Sequence, residues 1–394
     1  MQSSPLKSAA RLSLRALALV CVAFAAAAGA WAQSGERVGR LERAASLIGG
    51  GRLEEAERQL NVVLKAAPED AAALNLLGAI RAQQGRLDEA ESLFKRAVRG
   101  DEGLTGARMN LAHLHLLKRE PERAAAELRE VLRREPANAE AGHRLAWLLL
   151  KVGRLDECVA LAESLKGTPA ASAPLFAVLG EARLKKGDAR AAVSAFQSAV
   201  GLNPGEPSYH FALGSAWLGQ PRTGLDEAEQ SFRQFLKLRP DDVQGQLHLG
   251  YVLLKQKRHA EARGWLEKSV RANAGTPEAF YYLGLIAQGE GDDSRAVELF
   301  GKSIRLAPTY SHAHVALGAT YLKLKDYGRA RAALEAGVKL SPEDPKAHYN
   351  LALLYARLKE PERAREEMRI VEKLKGEGKT QAGDDDTAAP PPAP

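Results

Sequence analysis

Several short patterns in this sequence hold residue types that could do chemistry. Gly301-Lys302-Ser303 resembles the end of a phosphate-binding loop, where backbone amides cradle phosphate and a lysine reaches it. The earlier glycine of such a loop is missing, because Ala296 stands there, and the segment has the apolar spacing of a helix instead of a strand-to-helix turn. His113-x-His115 and His312-x-His314 suggest metal, but residues two apart on a helix point to different faces. Cys158 occupies a position that holds alanine elsewhere in the chain, which marks it as a buried small residue and not a nucleophile. Gly49-Gly50-Gly51 fills a turn between helices. No catalytic group, metal or cofactor is expected from these patterns, and the chain does not read as an enzyme.

The elements that would have to position any site recur with a fixed period. Small residues stand at Ala56, Ala90, Ala124, Cys158, Ala192, Ala228, Ala262, Ala296, Ala330 and Ala364, 34 residues apart except for one step of 36. Apolar residues keep helical spacing on both sides of a turn, so the unit is a pair of helices and the array a solenoid. Leu283-Gly284 falls on a first helix, Gly291 in the turn, Ala296 and Phe300 on a second helix, and Pro308 after it. Gly or Ala at 78, 112, 146, 180, 214, 250, 284, 318 and 352 lets paired helices approach closely. Leu and Phe are expected to fill the space between successive hairpins, since one hairpin cannot bury both apolar faces. About ten units fit, and the two extra residues lie between Gly219 and Gly224.

The ends differ from the array. Lys7, Arg11 and Arg15 precede an uncharged run from Ala16 to Gly29, and Ala30-Trp31-Ala32 offers small residues at a cleavage site. Residues 1–32 therefore read as a signal peptide cut after Ala32, which places the mature chain in a periplasmic or secreted location. The apolar run is too short for the roughly 20 residues a bilayer span needs, so no integral membrane span is expected in the mature chain. Cleavage lowers the formal charge from +7 to +4, and Arg and Glu alternate along the helices, which argues against a nucleic-acid partner. Only Cys158 remains after cleavage, so no internal disulfide forms. Residues 33–374 read as the solenoid and 375–394, with Asp384 to Asp386 and a Pro-rich end, as a disordered tail.

The period, the Leu-Gly pair, the central Ala and the terminal Pro together resemble the tetratricopeptide repeat family over roughly residues 37–378. The resemblance implies an all-α, right-handed superhelical solenoid of about ten helix-turn-helix repeats, whose first helices line a concave groove that binds protein or peptide partners. The first repeat has Arg43-Ala44 in place of Leu-Gly and reads as a cap. The family's groove positions map onto Trp147, Phe211, Leu247, His248, Tyr251, Tyr281, Tyr282, Leu285 and Tyr349. Aromatics are only 6% of the chain, so their recurrence there is expected to make an adhesive surface. Asn110 and Arg144 fall at two positions of a clamp that some members close on a peptide carboxylate, while Leu76 and Glu140 depart from it. The leading expectation is an exported scaffold or adaptor in an envelope or secretion assembly. The alternative is a carbohydrate-binding accessory subunit of a polysaccharide system.

Overall fold

The computed structural model describes residues 33–220 and 224–378. The expected signal peptide, most of the inserted turn and the residues after 378 lie outside the described residues. The described residues form twenty α-helices and no strand, in two compact units that divide between Lys186 and Gly187. The first unit holds α1 (Gln33–Gly49), α2 (Leu53–Ala66), α3 (Ala71–Gln83), α4 (Leu87–Gly100), α5 (Thr105–Leu117), α6 (Pro121–Arg134), α7 (Ala139–Lys151), α8 (Leu155–Leu165) and α9 (Ala173–Lys185). The second holds α10 (Ala189–Leu202), α11 (Pro207–Leu218), α12 (Leu225–Leu238), α13 (Val243–Lys255), α14 (His259–Ala272), α15 (Pro277–Gly289), α16 (Asp293–Leu306), α17 (Ser311–Lys323), α18 (Tyr327–Leu340), α19 (Pro345–Arg357) and α20 (Pro361–Gly378). Odd-numbered helices are the first of each repeat and even-numbered helices the second. The architecture is an all-α helical-repeat solenoid. Its last helix runs to Gly378, so residues 375–378 belong to α20 and not to the tail as expected.

Five hairpins close where a bulky side chain of the second helix lies on a glycine of the first. A Cβ at Gly78 would stand 2.7 Å from the Phe94 ring, and one at Gly284 2.5 Å from the Phe300 ring. Gly214 meets Phe232, Gly250 meets Leu266 and Gly318 meets Leu334 in the same way. These Leu and Phe residues were expected to fill the space between successive hairpins, and the structure seats them inside their own hairpin. The ring must enter its own hairpin because the missing Cβ leaves a slot of its own thickness, and a protein interior tolerates no such void.

Two local devices set the turns. The residue linking the helices of a hairpin is left-handed throughout, as at Gly291 (φ 84°), and Lys257 (φ 62°) and Lys325 (φ 63°) take this conformation despite their side chains. Aspartates cap the following helices: Asp242 accepts from the Gly245 amide at 2.9 Å and Asp292 from the Arg295 amide at 2.9 Å. In the second unit a polar side chain also fastens the start of the first helix to the turn before it. The Nε2 atoms of His210, His314 and His348 lie 2.9 Å from the carbonyls of Pro204, Pro308 and Pro342, and Gln246 Nε2 donates to Pro240 at 3.0 Å. A carbonyl only accepts, so in each of these contacts the imidazole donates from Nε2.

First helices also touch their successors: α1 with α3, α3 with α5, α7 with α9, α13 with α15, α15 with α17 and α17 with α19. No two successive second helices meet to the same extent among the described residues. First helices are therefore the inner layer within each unit, and second helices spread outward. Packing at glycine makes a discriminating prediction. Gly→Ala in a helix normally gains about 0.5–1 kcal/mol, and exposed Gly264, with nothing within 4 Å of its would-be Cβ, should show that gain on Gly264→Ala. Gly284→Ala should instead lose about 1–3 kcal/mol by overpacking Phe300. Urea midpoints of the two variants moving in opposite directions is the expected result.

Candidate binding face

Charge is sorted between the two kinds of helix. In α3, α5, α7 and α9 there are six Lys or Arg and only two carboxylates, Glu140 and Glu181. In α11, α13, α15, α17 and α19 there are four Lys or Arg and one carboxylate, Glu278. The second helices carry twelve Asp or Glu from α2 to α8 and thirteen from α10 to α20. Five of the first-helix cations, Lys151, Lys185, Lys255, Lys323 and Arg357, are the last residue of their helix. That end carries the negative pole of the helix dipole, which favours a cation there. The inner layer is thus poor in carboxylates and rimmed by cations.

In the first unit the inner face presents Trp147, half-buried, with the Lys151 ammonium 5.9 Å from its ring centre and 3.8 Å from a Glu181 oxygen. Arg144 is half-buried and bonds Glu140 at 2.5 Å. His113 and His143 lie beside these groups; burial, then the Arg144 charge, pushes the His113 imidazole down to about 4, and burial lowers His143. Asn110 departs from its expected role. Only 5% exposed, it donates to Asn75 Oδ1 at 2.9 Å and ties α5 to α3, so it is not open to a peptide carboxylate.

In the second unit most of the expected groove residues are interior. Phe211, Leu247, His248, Tyr251, Tyr281 and Tyr282 are buried, Tyr281 at 2% and Tyr282 at 0% exposure. Phe211 packs edge-on against Phe232 and Phe235 and 4.8 Å from the His248 ring. Tyr251 meets Tyr282 at 5.4 Å, and Tyr281 meets Tyr310 at 5.3 Å and His312 at 6.2 Å. The open aromatic surface expected of repeats six to eight is corrected by these contacts. The side chains point toward the next first helix, which covers them. Burial pushes the Tyr251 hydroxyl up to about 12 and those of Tyr281, Tyr282 and Tyr310 well above the ordinary range, so all stay neutral. Leu285 is half-buried, and Tyr349 is 45% exposed; among the described residues no first helix follows α19.

The remaining chemical candidates fall into place as structure. Gly301-Lys302-Ser303 lies inside α16, with Lys302 paired to Glu298 at 2.7 Å. His115 is buried and bonds Glu120 at 2.7 Å, away from His113. No group of three or more His, Cys, Asp or Glu that could hold a metal ion occurs among the described residues. No described helix is long and apolar enough to cross a membrane. Sequence reasoning missed the fastening of first helices, although proline followed six residues later by His or Gln recurs at 204/210, 240/246, 308/314 and 342/348.

Two tetratricopeptide repeat models match the chain, one over residues 41–104, 222–277 and 315–376 and another over 79–214. The chain belongs to the tetratricopeptide repeat family. It is 30% identical to protein FlbA of Caulobacter vibrioides over 158 residues, which is 40% of this chain and 26% of that protein. It is 30% identical to cellulose synthase operon protein C of Pseudomonas fluorescens over 154 residues, 36% of this chain and 12% of that protein. It is 22% identical to the protein O-mannosyl-transferase TMTC3 of Homo sapiens over 241 residues, 60% of this chain and 22% of that protein. The chain thus spans about a quarter or less of these relatives. Among solved structures, a chain of the APC/C hetero-tetramer Cut9-Hcn1 aligns with a TM-score of 0.50 at 17% identity, covering 86% of this chain and 81% of that one, which supports the fold.

Two further residues of the first unit have measurable chemistry. Cys158 is fully buried, its Sγ lies 3.3 Å from the Ala146 carbonyl, and burial pushes the thiol up to about 11. At pH 8 its alkylation should therefore follow unfolding, with the native thiol reacting far more slowly than a free cysteine; native and denatured labelling rates check this. His113 is depressed to about 4, so the folded chain binds fewer protons than the unfolded chain between that value and the unperturbed 6.5. Its contribution is complete above pH 6.5 and is lost as pH falls toward 4, by at most about 3 kcal/mol. His113→Gln should flatten that part of the curve of stability against pH.

Proposed function

We propose that this chain is an exported scaffold that binds protein or peptide segments on its first-helix face within an envelope or secretion assembly. Tetratricopeptide repeats are protein-interaction scaffolds, so the class follows from the family; the face, the partner chemistry and the location are the proposal. The observation that carries it is the sorting of charge, because within each unit the first helices from α3 to α9 and from α11 to α19 carry only three carboxylates, Glu140, Glu181 and Glu278. Such a layer favours segments bearing Asp, Glu or a terminal carboxylate. Trp147, Arg144, Leu285 and Tyr349 are the accessible contacts assigned to it, while the buried tyrosines hold the layer in shape. Export rests on the pattern from Lys7 to Ala32.

A second reading is a carbohydrate-binding accessory subunit of a polysaccharide system. The similarity to cellulose synthase operon protein C favours it, and the half-buried ring of Trp147 could stack on a sugar.

Co-purification from the native envelope fraction tests both readings. Trp147→Ala with Tyr349→Ala should leave helicity and melting unchanged and weaken the captured partner by at least about 2 kcal/mol, roughly 30-fold. Tyr281→Ala should instead unsettle the fold by about 3–5 kcal/mol. Retention of partner at full affinity by the double variant overturns the face assignment, and capture of glycan without protein favours the second reading. Amino-terminal sequencing of the exported chain should begin at Gln33, and an intact Met1 chain in the cytoplasm overturns export.

A further inference from the structure

The solenoid starts at the residue that export would leave first. Cleavage after Ala32 makes Gln33 the amino terminus, and α1 begins at Gln33. The new α-ammonium would stand at the amino end of a 17-residue helix, the positive pole of its dipole. Glu36, the one acidic residue of the first turn, is engaged by Arg40 at 2.7 Å. Asp70 is taken up by Arg37 and by the Ala73 amide that it caps. The end is open, since Gly35, Glu36 and Arg37 are exposed and a Cβ at Gly35 would meet nothing within 4 Å. The dipole disfavours the ammonium form, so more of this amine is neutral and nucleophilic than at an unstructured chain end.

We infer that Gln33 closes on itself to a pyroglutamyl cap once the signal peptide is removed. Its α-nitrogen attacks the side-chain amide carbon Cδ, the new N–Cδ bond completes a five-membered lactam, and the Cδ–Nε2 bond breaks. The proton given up by the amine leaves with Nε2 as ammonia, so the step needs no cofactor, oxidant or second substrate. The product takes a positive charge away from the positive pole of α1. It costs no helix hydrogen bond, because the first amides of a helix have no partner within it. The lactam also denies aminopeptidases a free amine at the exposed start of the array. Glutamine is the residue this chemistry requires: asparagine would have to close a four-membered ring, and the carboxylate of glutamate resists attack. Ser34, which a cut one bond later would leave first, has no group that can react in this way. The inference rests on the export reading, since before cleavage the α-nitrogen of Gln33 is an amide and not a nucleophile.

The test expresses the full chain with its own leader, recovers the exported protein and reads its intact mass and first residue by mass spectrometry, which sequences through a lactam. The protein is held at neutral pH beside an unstructured peptide beginning Gln-Ser-Gly-Glu, whose cyclisation sets the clock. The expected chain starts at residue 33, becomes lighter by one ammonia at least as fast as the peptide, and loses that residue to pyroglutamyl aminopeptidase, exposing Ser34. Gln33→Asn should be cut at the same bond and keep its free amine. Amides of residues 37–40, the first bonded within α1, should exchange hydrogen roughly two- to fivefold more slowly after cyclisation than before it. A chain that starts at Gln33 and still has a free amine when the peptide has fully cyclised overturns this inference and leaves export standing. A chain that starts at any other residue overturns both, so the two failures are told apart.

Discussion

The structure depends on one contact repeated along the chain, a bulky side chain of the second helix laid on the bare backbone of the first. It demands matched volumes at two places 16 residues apart, or 18 for Gly214 and Phe232 across the lengthened turn. Where the first helix has glycine the opposing residue is Phe94 or Phe300, or a leucine such as Leu266 or Leu334. Where it has alanine, at Ala44, Ala112, Ala146 and Ala352, the residue at the corresponding place is Leu60, Leu128, Ala162 or Met368, and never phenylalanine. A ring opposite a Cβ would push the helices apart, and cores lose stability when overfilled as well as when hollowed. The hairpin angle set by this contact is what the left-handed turn residue, the aspartate cap and the stacking of the next hairpin all require.

That dependence explains what could be read from sequence. The period, the helix pairs, the small residues and the turn glycines are local signals, each repeated enough to be unambiguous, and the structure has them where expected. The inner face was harder to read. Tyr251, Tyr281 and Tyr282 sit on the side of the first helix that faces inward, but a residue facing inward also faces the neighbouring first helix, and its exposure depends on the size of what that neighbour presents. Tyr281 is closed by Tyr310 and His312, which lie in the next repeat, so no pattern within its own repeat reveals the burial. Asn110 is a similar case, since its amide is used by Asn75 of the preceding repeat.

Charge follows a different logic from packing. Second helices face outward and carry both signs, and their arginines and glutamates pair between neighbours, as Arg154 does with Glu122 at 2.8 Å and Arg258 with Glu229 at 2.6 Å. Pairs of this kind at the surface add little stability, typically under about 1 kcal/mol. First helices are squeezed between neighbours, so they are mostly apolar, and their few charges gather at the carboxyl end, where the helix dipole holds cations. Packing and dipole together are enough to leave the inner layer positive. Function builds on a surface that the fold produces for its own reasons.

A solenoid also differs from a globular domain in having ends, and the ends expose what the interior uses for cohesion. Six internal first helices pack inner side chains against their successors within a unit. α19 has no successor among the described residues, so Tyr349 remains available although its place in the three preceding repeats holds buried Leu247, Tyr281 and Val315, while Leu353 stands at the place of half-buried Trp147 and Leu285. The long amphipathic α20 covers the other side of α19, with Val371 buried and His348 bonded to Glu367 at 2.6 Å, but it leaves Tyr349 and Leu353 exposed. The same side-chain types therefore act as core in the middle of the array and as open surface at its end, and which they do is decided by the presence of a neighbour and not by the residues themselves.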